Sequence, residues 1–214
     1  MIDRTLLLVI LVVLIGVATG FVSAQSPATS ANEGKTIQEE STQSAIFAGG
    51  CFWCIEADFE KLNGVVDVTS GYTGGSAETA SYKTVSNTET GHFEAVNVQF
   101  DPEQISYAEL VEYFWRHIDP TDDRGQFCDK GSSYKSAIFV NSEQQRMVAQ
   151  ASLEALEANK PFAEDIVTPI LTAKPYYLAE DYHQDYYKKN PWRYQYYRRG
   201  CGRDQRVQQL WGKQ

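Results

Sequence analysis

The chain has 214 residues, 43% of them hydrophobic, and a formal net charge of -9. That is long enough for one domain with a full core. Its acidic balance gives no general attraction to phosphate backbones, which excludes nucleic acid as an expected partner.

Residues 5 to 22, TLLLVILVVLIGVATGFV, form an uncharged apolar run behind Arg4, and small residues before Gln25 suit signal cleavage. The expectation is an export signal over residues 1–24. The run also has the roughly 18 apolar residues that suffice to stay in a bilayer as an anchor, so the protein is expected in the periplasm or membrane-anchored outside the cytoplasm. Residues 25–44, QSPATSANEGKTIQEESTQS, lack large apolar side chains and are expected to form a disordered linker. The folded domain is expected over 45–214.

Ala45 to Phe47 predicts a short strand, turned by Gly49 and Gly50. Phe52, Ile55, Phe59 and Leu62 then recur at helical spacing up to Asn63-Gly64. Val65 to Tyr72 predicts a second strand, GYTGG opens a loop reaching Gly91, and His92 to Phe100 predicts a third strand. Ser106 with Glu109 has the form of a capping box before a helix whose apolar stripe is Leu110, Val111, Phe114, Trp115 and Ile118. After a long loop, residues 119 to 133, come a strand at Ser136 to Val140, a helix over Ser142 to Asn159 and a strand near Ile166 to Leu171. The succession is βαββαβ with an added αβ, which predicts an α+β fold of ferredoxin-like type with long loops. From Pro175 the chain is crowded with Tyr and carries Pro191 and Gly200, so an irregular tail wrapping the domain is expected.

The cysteines are Cys51, Cys54, Cys128 and Cys201. A zinc site commonly wants two close pairs, and here the second pair is missing. A thioredoxin-like thiol-disulfide oxidoreductase also opens a helix with C-x-x-C, and a structural disulfide is natural in an exported protein. Cys51 itself stands at a helix N-terminus, where free amides and the helix dipole favour a thiolate nucleophile. Phe52 is in register with the core stripe. Trp53 shares its stripe with Glu56 and Glu60, which places the indole on the outer side, beside the cysteine. In the strand HFEAVNVQF, Glu94 is in phase with Val96, Val98 and Phe100, so a carboxyl group faces inward. Burial raises the pKa of such a group, and its cost calls for a partner or a task. His92 shares the phase, but a lone strand-end histidine is read as packing. In FCDKGSSYKS, Asp129 and Tyr134 stand on a long loop.

GGCFWC, GYTGG, the Tyr82 segment SYKTV, TGHFEAV, FCDKGSSYKSAIF and AEDYHQDYYKKNP, in this order, resemble the A-class peptide methionine sulfoxide reductases over about residues 45 to 214. The resemblance implies a ferredoxin-like α+β core and reduction of the S epimer of methionine sulfoxide, free or in proteins, as a repair of oxidised proteins under oxidative stress. It makes Cys51 the nucleophile and Glu94 the acid. Phe52 and Trp53 become holders of the substrate methyl group, with Tyr82, Tyr134 and Asp129 lining the pocket. It implies no cofactor beyond an external thioredoxin-like or dithiol reductant, and a monomer is expected. A sulfenic acid on Cys51 must be reset before it overoxidises. Many members have glycine where Cys54 stands and asparagine where Cys128 stands, so three thiols compete to resolve it. Cys201, between glycines in a mobile tail, is the expected partner. Cys54 is close but held within one helical turn, and Cys128 is a possible relay.

Overall fold

The computed structural model describes residues 42–213. The export signal and most of the linker expected from the sequence lie outside them. The elements are β1 (Gln43–Gly49), α1 (Phe52–Phe59), β2 (Val65–Thr73), α2 (Tyr82–Val85), β3 (Phe93–Phe100), α3 (Tyr107–Arg116), β4 (Gly125–Gln126), β5 (Asp129–Lys130), β6 (Ser136–Val140), α4 (Glu143–Asn159), β7 (Ile170–Thr172), β8 (Tyr176–Leu178), α5 (Tyr186–Lys189), α6 (Pro191–Gly200) and α7 (Arg203–Trp211).

The main sheet has the order β7-β6-β1-β3-β2-β8. Its neighbours are antiparallel except β6 and β7, which run parallel. The alternation of β3 sets which residues meet the core: Val96, Val98 and Phe100 are buried on one face. On that face Phe47 of β1 stacks against Phe59 of α1 at 4.9 Å and Phe114 of α3 at 5.0 Å, so three elements close over one aromatic contact. The caps behave as their residue types dictate. Ser106 and Glu109 form a reciprocal capping box, and Ser142 accepts the Gln145 amide at the start of α4.

Two turns position the functional end of the sheet. Gly50 has φ +84°, and a Cβ there would meet Gln126 Cβ at 2.6 Å. The contact exists because the loop after α3 folds back. The buried Gln126 amide accepts the Asp119 N–H at 2.9 Å and donates to the Asp119 carbonyl at 2.7 Å. Residues 125–130 are thereby held as a small β4–β5 hairpin against the β1–α1 turn.

The structure corrects the expectation of an irregular tail. Residues 186–211 are mostly helical. Neither Pro191 nor Gly200 breaks structure here: Pro191 occupies the first turn of α6, where its missing N–H is no loss, and Gly200 is accommodated as that helix's last residue, the chain turning at Gly202. Gly202, at φ +68°, then starts α7. The strand expected near Ile166 to Leu171 is shorter and later, at Ile170–Thr172, and the loop before β3 carries the unexpected α2. Glu56, expected on the outer side of α1 with Trp53, is buried because the tail crosses that side. The Asp185 N–H donates to Glu56 Oε1 at 3.0 Å, and burial pushes the Glu56 carboxyl up to about 7.

What fastens the tail is buried charge. Asp58 of α1 is 2% exposed, and its carboxylate lies 3.0 Å from Arg198 and 3.7 Å from the equally buried Arg203. Arg203 also donates to the carbonyls of Gly49 and His117, at 3.1 and 2.9 Å. Removing one member of such a group leaves an uncompensated charge out of water. Arg203→Leu should therefore cost about 3 kcal/mol of unfolding free energy in urea denaturation and open the tail to limited proteolysis. Adding Asp58→Asn should restore part of the loss. A single variant within about 0.5 kcal/mol of the parent would contradict the role assigned to this cluster.

Candidate functional site

The strand β1 ends in Gly49 and Gly50, and Cys51 follows as the residue that caps α1, with φ -51° and ψ 118°. It lies just outside the helix, with its carbonyl accepting the Cys54 N–H at 3.0 Å. Both thiols are free and buried. They lie close enough for each to shift the other's ionisation. Burial holds the Cys51 thiol well above the ordinary range, whereas the hydrogen bond received from Cys51 lowers Cys54. The thiolate expected on Cys51 from its helix-start position is thus opposed by desolvation.

Glu94 enters from β3, opposite Tyr72 of β2. It is 2% exposed, and its Oε2 accepts the Phe52 N–H at 3.1 Å, one of the amides a helix start leaves without an internal partner. Burial, reinforced by the nearby Asp129, pushes the carboxyl up to about 8, despite the stabilising bonds from Phe52 and Tyr134. At neutral pH Glu94 is therefore mostly an O–H donor beside a buried thiol. Tyr82 and Tyr134 feel the Glu94 and Cys51 charges, and burial pushes both phenols up, Tyr82 to about 12. They remain donors.

The aromatic wall comes from two ends of the chain. Phe52 is in the core, as its register indicated, with its ring 5.8 Å from Tyr72 and 4.9 Å from His183. Trp53 is half-buried and stacks on Tyr186 at 3.7 Å, with Tyr197 edge-on at 5.9 Å. Its Nε1–H donates to His183 Nδ1 at 3.0 Å. That bond fixes the tautomer, leaving His183 with its proton on Nε2. Glu180 clamps the opposite side: it accepts the Tyr72 hydroxyl at 2.8 Å and the Tyr82 N–H at 2.9 Å.

Asp129, carried by the β4–β5 hairpin, accepts the Tyr197 hydroxyl, which also faces Cys51. Its carboxyl oxygens lie 3.7 Å from Cys128 Sγ and 3.9 Å from Cys201 Sγ. Cys128 and Cys201 are joined as a disulfide. The tail thiol expected to close on Cys51 is thus engaged with Cys128, and the helical tail holds it there.

Every residue singled out from the sequence, namely Cys51, Phe52, Trp53, Cys54, Tyr82, Glu94, Asp129, Tyr134 and Cys201, belongs to this one region. His92 is structural: it accepts the Gly75 N–H at 3.2 Å and bonds the Ser76 carbonyl through Nε2 at 2.9 Å. Tyr72, Glu180, His183, Tyr186 and Tyr197 were not picked out. AEDYHQDYYKKNP and the density of tyrosine mark the segment of the last four without distinguishing one residue from the next, and Tyr72 stands in the sequence only as a strand end. Among the described residues, Glu56, Glu60 and Asp185 also cluster as a cation site would. The Lys188 ammonium already stands there, 2.7 Å from Glu60 and 2.8 Å from Asp185.

Comparison with known proteins gives one consistent picture. The family model described as peptide methionine sulfoxide reductase matches residues 43–214. The peptide methionine sulfoxide reductase MsrA of Ligilactobacillus salivarius is 54% identical over 171 residues, 80% of this chain and 99% of that protein. MsrA 2 of Caulobacter vibrioides is 44% identical over 202 residues, 94% of this chain and 98% of its own. Among solved structures, reduced Mxr1 from Saccharomyces cerevisiae superposes with a TM-score of 0.67 at 32% identity, covering 71% of this chain and 87% of its own. Methionine sulfoxide reductase A of Corynebacterium diphtheriae gives 0.63 at 32% identity, covering 72% of this chain and 77% of its own.

The burial of Glu94 has a direct spectroscopic consequence. In the infrared difference between the parent and Glu94→Gln, which removes the contribution of Glu56, a protonated-carboxyl stretch should persist at neutral pH and disappear as the pH rises through about 8. A carboxyl already ionised at pH 6 would show that the site is wetter than its geometry implies.

Proposed function

Because the chain belongs to the peptide methionine sulfoxide reductase family and reduces methionine (S)-sulfoxide to methionine through a cysteine sulfenic acid and an intramolecular disulfide, we propose that Cys51 is the nucleophile and Glu94 the proton donor. The observation that carries this assignment is the bond from Phe52 N–H to Glu94, which sets a buried carboxyl with a pKa near 8 at the helix turn that begins with Cys51. A sulfoxide oxygen leaves poorly unless protonated as sulfur is attacked. A carboxyl kept neutral by burial supplies that proton at pH 7.

The Cys51 sulfur attacks the substrate sulfur. An S–S bond forms as the S–O bond breaks, the oxygen taking the Glu94 proton and the Cys51 proton to leave as water. Water then attacks the Cys51 sulfur, the S–S bond breaks to release methionine, and Cys51 is left as a sulfenic acid with the freed proton returned to the Glu94 carboxylate. Tyr82 and Tyr134 polarise the S–O bond by hydrogen bonding, and Phe52 with the Trp53 wall contacts the methyl group, which no hydrogen bond can recognise. Asp129, fixed by Tyr197, borders the substrate.

Resolution falls first to Cys54. Only Cys54 lies in the helix proper, since Cys51 is its cap, so joining them does not require the helix to unwind. Cys54 attacks the sulfenic sulfur, water leaves, and the disulfide is then exchanged to Cys128 and Cys201 on the far side of Tyr197. This ordering is supported by the free Cys51–Cys54 pair standing beside a closed Cys128–Cys201 pair. An external dithiol protein of thioredoxin type reopens the outer disulfide.

The antiparallel run β6-β1-β3-β2, with α1 between β1 and β2 and α3 between β3 and β6, supports a ferredoxin-like reading of the core. The apolar run over residues 5–22 supports an enzyme working outside the cytoplasm with an exported reductant.

Cys51→Ser should abolish methionine release. Glu94→Gln should slow the sulfoxide step by roughly 10² to 10⁴. In the parent enzyme the single-turnover rate should fall as pH rises through about 8, since only protonated Glu94 donates. A Glu94→Gln enzyme as fast as the parent at pH 7 would remove the carboxyl from the mechanism.

After reduction and one equivalent of methionine sulfoxide, mass mapping should find the new disulfide at Cys128–Cys201 in the parent and at Cys51–Cys54 in Cys201→Ser. Cys54→Ser should release its first methionine normally and retain the sulfenic acid. A Cys51–Cys201 bond in the parent would instead make the tail thiol the direct resolver.

A further inference from the structure

The outer disulfide opens onto a groove of about 720 Å3 that includes Cys128, Cys201, Trp192, Gln195, Tyr196 and Arg199 in its lining. Of the α6 residues in the lining, Trp192, Gln195, Tyr196 and Arg199 fall at positions i, i+3, i+4 and i+7 and form one stripe along the helix that leads to Cys201. Trp192 is 86% exposed and Tyr196 84%, more than any other exposed large hydrophobic side chain described. Neither contributes to the core. Exposed Trp and Tyr beside a reactive bond have the composition of a binding hot spot.

We propose that the α6 stripe is the docking surface for a protein dithiol that reduces Cys128–Cys201. This rests on the reading that the outer disulfide lies on the catalytic cycle. What the stripe adds is the place and chemistry of recognition. The occupant is indicated by the groove itself, which ends at a disulfide whose Cys128 is exposed and whose Cys201 is half-buried. The partner's thiolate attacks Cys128 Sγ, forming a mixed disulfide, and Cys201 leaves as a thiolate protonated from solvent. The partner's second thiol then attacks its own sulfur in that mixed disulfide, leaving Cys128 reduced and the partner oxidised.

A small dithiol has no use for an aromatic stripe next to the sulfur it attacks. A protein whose reactive thiol is rimmed by apolar residues has. Charge narrows the partner further: α6 carries Arg193, Arg198 and Arg199 and no carboxylate, although the whole chain has a net charge of -9. Arg198 is turned inward to Asp58, whereas Arg193 and Arg199 are exposed. The complementary partner surface is apolar at the thiol and acidic at its edge.

The test uses the full domain with reduced thioredoxin and, separately, with dithiothreitol. Trp192→Ala/Tyr196→Ala should raise the KM for thioredoxin by about tenfold or more, leave kcat within twofold, and change neither dithiothreitol-driven turnover nor the melting temperature. Arg199→Glu should raise the same KM, with the effect shrinking as salt is added. A thioredoxin KM unchanged in the double variant overturns the docking surface. Sedimentation of both proteins covers the other occupant: a dimer that the double variant dissolves, with KM unchanged, makes the stripe a self-association face and also overturns the proposal. Cys128→Ser/Cys201→Ser separates this from failure of the underlying reading. If that enzyme turns over with thioredoxin at the parental rate, the outer disulfide is not on the cycle. If it loses thioredoxin turnover while the aromatic variant keeps its KM, only the docking proposal falls.

Discussion

The arrangement of the site depends on a carboxylate that cannot be left alone. Asp58 is ionised and buried in α1, and despite desolvation Arg198 and Arg203 hold its pKa below the ordinary carboxylate range. Both arginines come from the last part of the chain. Compensating one charge inside the first helix therefore draws α6 and α7 onto that helix, and with them Tyr197 and Cys201. The same tail brings Tyr186 onto Trp53. Burial of an ion pair is weak evidence for net stability, since a hydrophobic replacement can do as well. Here its consequence is positional: the redox end of the chain is registered against Cys51.

Three carboxyl groups around α1 show how environment divides their roles. Asp58, facing two guanidinium groups, stays charged. Glu56, buried under the tail with Glu60 and Asp185 close by, is pushed up to about 7. Glu94 reaches about 8 because burial outweighs the bonds it accepts. Only Glu94 combines the protonated form with a position at the helix start, so acidity and geometry select the same residue.

Much of the interior was legible from the sequence because two periodicities carry it. The inward phase of Glu94 with Val96, Val98 and Phe100 survives in β3, and the capping box at Ser106 forms as its residues require. The tail was misread for a physical reason. Proline breaks a helix in its interior but begins one at its first turn, as Pro191 does, and of the two glycines flanking Cys201 only Gly202 takes the left-handed turn; sequence alone does not say where such a boundary lies. The exposure expected of Glu56 fails for the same reason: its phase on α1 holds, and the layer that covers it is the helical tail. His183 and Tyr197 could not be distinguished among neighbouring tyrosines and histidine because their roles arise across more than a hundred residues of separation, from Trp53 and Cys51 respectively.

The two sulfur pairs sit at different depths, and chemistry needs that difference. Sulfoxide reduction wants a dry site: a proton donor stays neutral there, and a sulfenic acid is shielded from further oxidation. Reduction by another protein wants the opposite, since an attacking thiol must approach a disulfide along an open path. Cys51 and Cys54 satisfy the first demand, and Cys128 with Cys201 the second. Tyr197 stands between them, bonded to Asp129 on one side and facing Cys51 on the other. On the proposed cycle, moving an oxidising equivalent outward through disulfide exchange keeps the external reductant away from the sulfoxide while leaving the final bond accessible, which a single pair at either depth does not achieve.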